Sequence, residues 1–527
     1  MYVQAIPVLS SLSTMPVLSC WAWRFFFCFS VVFLLAGKCF SASTCMDDAH
    51  FHGNTVMGPA EKLIKALNLS TFPISNDDIT SDDEDVVPRI VEHHISLHPF
   101  GITDEDLGHH AGYFSIPGTY AARMFYLFFE SRGNKTEDPV VIWMSGGPGC
   151  SSELALFYEN GPYKITDKLT LILNDYGWDK VSNIIFVDQP VGTGFSYSSD
   201  DRDIPHDEQG VSEDMFQFLQ AFFQLHPEYA KNEFFVTGES YAGHYVPAVT
   251  SRIHQANKRQ EGVPINLKGF AIGNGLTNPE IQYAAYADYA LQMGLINKTV
   301  YQIVSDMYPE CQEAIQKCGN NGSSTCSRAY SVCTSIFNTI LYFLDDVNYY
   351  DIRKKCDGNL CYDFSNMETY LNQNSVKQAL NVGDIDFVSC NSLVYENMVV
   401  DWMRNLEVGI PALLDDGIQL LVYAGEYDLI CNWLGNARWV SVIEWSGSDN
   451  YRAANFTKFA VDGEEAGLFI SYGPLTFLKV HNAGHMVPMD QPKASLDMIM
   501  RFTQGGSLDG VSFPREIVYS TSRNTER

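Results

Sequence analysis

"FVTGESYAGHYVP", residues 235–247, decides how this chain is read. An apolar run, "EFFVTGES" (233–240), feeds a turn and then a helix-like segment, with Ser240 at the sharp point. "GESYAG" (238–243) is of the G-x-S-x-G nucleophile-elbow type, here with Ala242 before the closing Gly243. Gly238 and Gly243 are what a strained strand-to-helix turn requires, since no side chain obstructs it. A chance serine in an ordinary turn would look the same in isolation, so the context must decide. Glu239 is the anomaly. It sets a carboxylate beside an oxygen that must carry negative charge in a transition state.

Working outward, apolar runs recur at 123–131, 139–147, 169–174, 183–190, 267–275, 418–428 and 475–485. Several are continuous, as strands covered on both faces should be. Helical patterns such as 212–229 and 493–504 lie between them. This alternation predicts an α/β sheet. It breaks at about 279–390, a helical stretch holding six cysteines before Cys390, which reads as an insertion forming a cap over the site. The expected layout is a catalytic domain over 107–508 and a C-terminal tail over 509–527.

A serine hydroxyl needs a base. In hydrolases of this type the acid and the histidine follow the serine in that order. Asp428 ends the strand "LLVYAGEYD" and His485 ends "FLKVHNAGH", both at the carboxyl edge where such sheets assemble their sites. Asp415 and Asp416 precede their strand and fall at the wrong end. His481 lies within the final strand and reads as structural. An oxyanion needs two donors. Tyr241 N–H, just after the nucleophile, is one, and Gly147 in the glycine-rich loop "SGGPGCSS" (145–152) is the best candidate for the other. "VGTGFSY" (191–197) lacks the third glycine of a dinucleotide fingerprint, so no cofactor is expected. No C-x-x-C pair and no H-E-x-x-H are present, and no metal is expected.

The balance of 34 Lys and Arg against 63 Asp and Glu, with no basic run, argues against a nucleic-acid partner. It suits a solvated surface in a mildly acidic compartment. Residues 1–42 read as a secretory signal peptide, with "FFFCFSVVFLLAG" (25–37) as its apolar core. Thirteen residues fall short of the roughly 20 that a spanning helix needs, and no later span appears. Residues 43–106, including the acidic "NDDITSDDEDVVP", read as a propeptide or a mobile N-terminal arm. Secretory entry favours disulfides among the cysteines from Cys150 onward, whose odd number leaves one thiol free. It also makes the sequons at Asn68, Asn134, Asn297, Asn321 and Asn455 glycosylation candidates.

Six stretches in order, "WMSGGPGCSSE", "FVDQPVGTGFSY", "FVTGESYAGHYVP", "GFAIGNGLT", "YAGEYDLICNWLGN" and "HNAGHMVPMDQP", resemble the serine carboxypeptidase family, close to its plant and yeast vacuolar members. The resemblance covers roughly 107–508. It implies an α/β-hydrolase fold with a mixed, mostly parallel sheet and a disulfide-linked cap. It also implies a triad of Ser240, Asp428 and His485, with Gly147 and Tyr241 at the oxyanion. The implied contacts to a substrate's terminal carboxylate fall on Ser145, Gly146, Glu159 and Glu239. Ser145 departs from the asparagine common in the family. The implied disulfides are Cys150–Cys390, Cys311–Cys333, Cys318–Cys326 and Cys356–Cys361, leaving Cys431 free near the site. The implied substrates are peptides or proteins with a free C-terminus, and the implied setting is a vacuole-like or extracellular one, as monomer or homodimer. Some plant relatives transfer acyl groups from sugar esters, but those typically carry aspartate before the nucleophile. Glu239 favours the peptidase over that reading, and the intact triad argues against a silent binding or stabilising protein that merely keeps the fold.

Overall fold

The computed structural model describes residues 89–95, 109–319, 323–358 and 360–509. In chain order its strands are β1 (Arg89–His94), β2 (His109–Ser115), β3 (Arg123–Phe129), β4 (Val140–Met144), β5 (Tyr163–Ile165), β6 (Leu171–Leu173) and β7 (Asn183–Val187). There follow β8 (Phe234–Glu239), β9 (Leu267–Gly273), β10 (Gln419–Gly425), β11 (Thr457–Val461), β12 (Glu464–Tyr472) and β13 (Leu475–Val480). The helices that matter to the site are α1 (Glu153–Tyr158), α2 (Glu208–Leu225), α3 (Ala242–Arg259), α4 (Pro279–Gln292), α5 (Lys298–Cys318) and α6 (Ser323–Tyr342).

Eleven strands form one sheet in the order β1-β2-β3-β7-β4-β8-β9-β10-β13-β12-β11. The run from β7 to β13 is parallel, and the strands outside it pair antiparallel. This is the α/β-hydrolase architecture. Alternate side chains of the central strands enter opposite cores. Val140, Ile142 and Met144 of β4 pack on one side, and Val141 and Trp143 on the other. That two-sided burial, worth about 1.5–3 kcal/mol for each large apolar side chain, is why these strands read as unbroken apolar runs.

Two expectations change. The run at 169–174 yields β6, which joins β5 in a separate two-stranded ribbon. Residues 89–94, assigned from sequence to the N-terminal arm, form β1 and pair with β2 from Arg89↔Ser115 to His94↔His110. Residues 1–88 and 96–108, which hold the expected signal segment, the rest of the arm and Asn68, lie outside the described residues, as do Asn321 and 510–527. Asn134, Asn297 and Asn455 are exposed.

The insertion is mainly helical. Asn297 caps α5 by accepting from the N–H groups of Thr299 (2.9 Å) and Val300 (3.1 Å). Disulfides Cys311–Cys333 and Cys318–Cys326 join α5 to α6, and Cys356–Cys361 closes a short loop. Cys150–Cys390 ties the glycine-rich loop after β4 to the end of the insertion. Among the described residues no helix is long and apolar enough to cross a membrane.

Candidate active site

β8 delivers Ser240 to the start of α3. The serine has φ +67°, a left-handed value that side chains rarely adopt, and the turn survives because its neighbours are small. A Cβ on Gly238 would sit 2.5 Å from Met144 O, and one on Gly243 2.5 Å from Leu276 O. Backbone atoms stand at both places, so neither glycine can be replaced without moving a strand or loop.

Asp428 and His485 arrive from the ends of β10 and β13, which are paired neighbours. His485 Nδ1 lies 2.7 Å from Asp428 Oδ2. The same carboxylate oxygen accepts from Asn274 Nδ2 at 2.7 Å, while Cys431 N–H reaches Oδ1 at 3.3 Å. Asn274 is itself fixed, since its Oδ1 accepts from Gly425 N–H at 3.1 Å. The His485 backbone donates to Tyr350 O at 2.7 Å, and the two rings lie 4.9 Å apart between centroids. With Nδ1 committed to Asp428, the opposite nitrogen, Nε2, is buried without a partner among the described residues. His485 and Ser240 line the same cavity of about 520 Å³. An imidazole held in this way can accept a proton at Nε2.

The glycine-rich loop packs against the elbow. A Cβ on Gly146 would lie 2.4 Å from Tyr241 N and 2.8 Å from Ser240 Cβ. Gly147 follows with φ +109°. The backbone units expected to supply the two oxyanion donors are therefore neighbours. Behind the loop, Asp188 accepts from Ser152 N–H (3.3 Å) and Phe195 N–H (2.7 Å). A Cβ on Gly194 would fall 2.1 Å from Asp188 Oδ2. The G-x-G of "VGTGFSY" thus fits its backbone around a buried carboxyl that braces the loop.

Glu239 ends β8 and Glu159 follows α1. Both are buried, and their carboxyls share a hydrogen bond. Each keeps one oxygen, Oε2, without a partner. Burial pushes Glu159 up to about 8. Burial, with the facing Glu159 charge added, raises Glu239 well above the carboxylate range. Ser145 stands on the same wall, where its hydroxyl accepts from Trp143 Nε1 at 3.1 Å and retains its own proton to donate. The insertion supplies much of the opposite, aromatic wall, including Tyr283, Tyr286, Phe337 and Tyr349. Cys431, buried and free, also lines the cavity, and burial raises its thiol pKa. His481 lies apart, facing Glu426 and Glu465.

A family profile described as serine carboxypeptidase matches residues 100–505. The chain belongs to the serine carboxypeptidase family. It is a hydrolase of the serine-type peptidase class. Serine carboxypeptidase 3 of Hordeum vulgare is 58% identical over 501 residues, covering 93% of this chain and 97% of the relative. The Oryza sativa subsp. japonica protein of the same name is 59% identical over 90% of this chain and 94% of its own. Serine carboxypeptidase-like 47 of Arabidopsis thaliana is 59% identical over 86% of this chain and 90% of its own. Among solved structures, the prohormone-processing carboxypeptidase Kex1 of Saccharomyces cerevisiae aligns with a TM-score of 0.68 at 25% identity, over 80% of this chain and 92% of that one.

Sequence reasoning assigned no role to Asn274 and Tyr350 in this carboxypeptidase. Asn274 lies in "GFAIGNGLT", at a strand end beside the acid's strand, a position that could have flagged it. Tyr350 lies in the insertion and carries no such signal.

Proposed function

We propose that this carboxypeptidase releases C-terminal amino acids through an acyl-enzyme on Ser240, and works best in acid. Ser240 Oγ attacks the last peptide carbonyl while His485 Nε2 takes its proton. His485 then gives that proton to the departing amine. Water, activated by the same imidazole, cleaves the resulting ester. Asp428 holds the imidazole in the tautomer with Nε2 free and stabilises its charged form. The backbone N–H groups of Gly147 and Tyr241 receive the oxyanion.

The observation that carries the exopeptidase reading is the Glu159–Glu239 pair. Two carboxyls held close in a buried pocket cannot both ionise cheaply, so a proton remains on them in acid. A protonated carboxyl donates to the substrate's terminal carboxylate, with Ser145 and Gly146 completing the cradle. At higher pH both ionise and repel it. Glu239 therefore gates recognition at a cost to charge balance beside the nucleophile. Entry through a signal peptide at 1–42 and a mildly acidic vacuole-like or extracellular setting fit this chemistry.

Mass spectrometry of an unblocked peptide and its C-terminally amidated twin, from acid to neutral pH, tests the reading. Stepwise trimming strongest in acid, weak on the amide and absent in Ser240→Ala is expected. Equal trimming of both peptides would remove the role given to the glutamates. Labelling of Ser240 by an organophosphate without any trimming would point to acyl transfer.

A further inference from the structure

A second cluster of chemistry-bearing side chains lies far from the cleft. Glu92 on β1, His110 on β2 and His226, just past the end of α2, bring one ligand atom each to within 4.8 Å of one another. Glu92 Oε1 lies 2.7 Å from His110 Nδ1, and Oε2 lies 2.9 Å from His226 Nε2. Side-chain exposure is 9% for Glu92, 8% for His226 and 21% for His110. The second nitrogen of His226 faces Glu228 Oε1 at 3.4 Å. A carboxylate on the far nitrogen is the arrangement that fixes tautomer and ring orientation in histidines that ligate metals. The strands are cut to fit the cluster. Gly112 pairs with both Glu92 and Tyr126, and a Cβ there would sit 2.8 Å from the Tyr126 ring. Its absence lets Tyr126 OH cross the strand and donate to Glu92. The rings of Phe128 and Phe222 pack on His226 and shield the group.

We propose that Glu92, His110 and His226 form a site for one divalent transition ion of the zinc class, which staples the edge strand β1 to the catalytic domain. Two imidazoles and a carboxylate are a donor set that zinc accepts, with a water as fourth ligand. Zinc bonds of about 2.0–2.1 Å place tetrahedral ligand atoms roughly 3.3 Å apart. One carboxylate oxygen of Glu92 ligates, so either the His110 Nδ1–Oε1 or the His226 Nε2–Oε2 separation needs to open by a few tenths of an ångström, and the remaining separations need to settle within their 4.8 Å bound. The metal joins residues from three elements and follows no local spacing, which is why motif reading of the sequence gives none. β1 lies five strands from β8 in the sheet order, roughly 24 Å at ~4.8 Å per strand, so the ion takes no part in the peptidase chemistry.

The test is equilibrium dialysis of chelator-stripped mature enzyme against zinc(II) at neutral pH, with bound metal counted and thermal unfolding followed. One zinc per chain and a higher unfolding midpoint with zinc are expected. His110→Ala, at the more exposed ligand, loses the site and the thermal response. Glu228→Gln weakens binding about tenfold. His481→Ala, at the other histidine that faces two glutamates, changes nothing, and peptidase activity stays level in all three. If wild-type enzyme holds no stoichiometric zinc, or His110→Ala retains it equally, the cluster is an ion-paired clamp only and the proposal fails.

Discussion

Asp428 and Glu239 are both buried at strand ends beside one cavity, yet their surroundings are opposite. Asp428 meets donors only: Asn274, the Cys431 backbone and His485. Glu239 meets another acid, Glu159. Paired donors hold a carboxylate in place and satisfy its oxygens, whereas a facing acid makes it a proton store. A carboxyl at the same edge of the same sheet is thus assigned its chemistry by what the neighbouring strand and helix ends bring to it.

Removing the proposed nucleophile is the largest perturbation. Ser240→Ala is expected to lower kcat by about 10⁴-fold or more, with peptide binding retained. Next comes the donor set of Asp428. Asn274 has φ +39°, so Asn274→Gly removes the side chain without backbone cost. Losing one hydrogen bond to a charged group, about 1.5–3 kcal/mol, should lower kcat about 10- to 100-fold at unchanged KM. A matching rise in KM alone would show that Asn274 does not act through the Asp428–His485 pair.

The acid corner should respond to pH instead. Glu159 is raised to about 8 and Glu239 is raised with it, so the shared proton is held below that range and lost above it. KM for peptides should climb about tenfold or more between pH 5 and pH 8, while amidated peptides respond weakly. Unfolded glutamates ionise near the model-peptide value, so the folded state binds more protons and its stability falls as pH rises toward 8. Glu239→Gln should flatten both trends, which stopped-flow binding and thermal melts would read. The smallest effect is expected at Ser145. Ser145→Asn supplies a longer donor and should lower KM by about threefold. A rise instead would mean that the contact between Trp143 and Ser145 leaves no room for the amide.

The parallel strands were legible because burial on both faces writes a continuous apolar run, as in "VVIWM" and "NIIFV". Of the antiparallel margins, β3 was legible as the run at 123–131, but the outer strands were not. β12, "EEAGLFISY", alternates between partly covered and buried positions and contains a glycine, and β2, "HHAGYFS", opens on two histidines. Neither resembles the buried strands. The elbow was legible because glycine spacing around a serine reflects a steric demand local to the turn. Asn274 and Tyr350 escaped because their roles depend on partners more than a hundred residues away.

The residues alone fix the alternation of buried strands and helices and the glycine-flanked Ser240, because each is a local steric or hydrophobic requirement, while the order of serine, acid and histidine was read from the pattern of such hydrolases. That Asn274 braces Asp428 and that Glu92 meets two histidines emerged from the folded chain alone, whereas the meeting of Glu159 with Glu239 was implied by the family resemblance and gained its shared hydrogen bond from the fold. Those pairings arise where strand order brings distant segments within hydrogen-bond reach, and no local pattern in a chain records that distance.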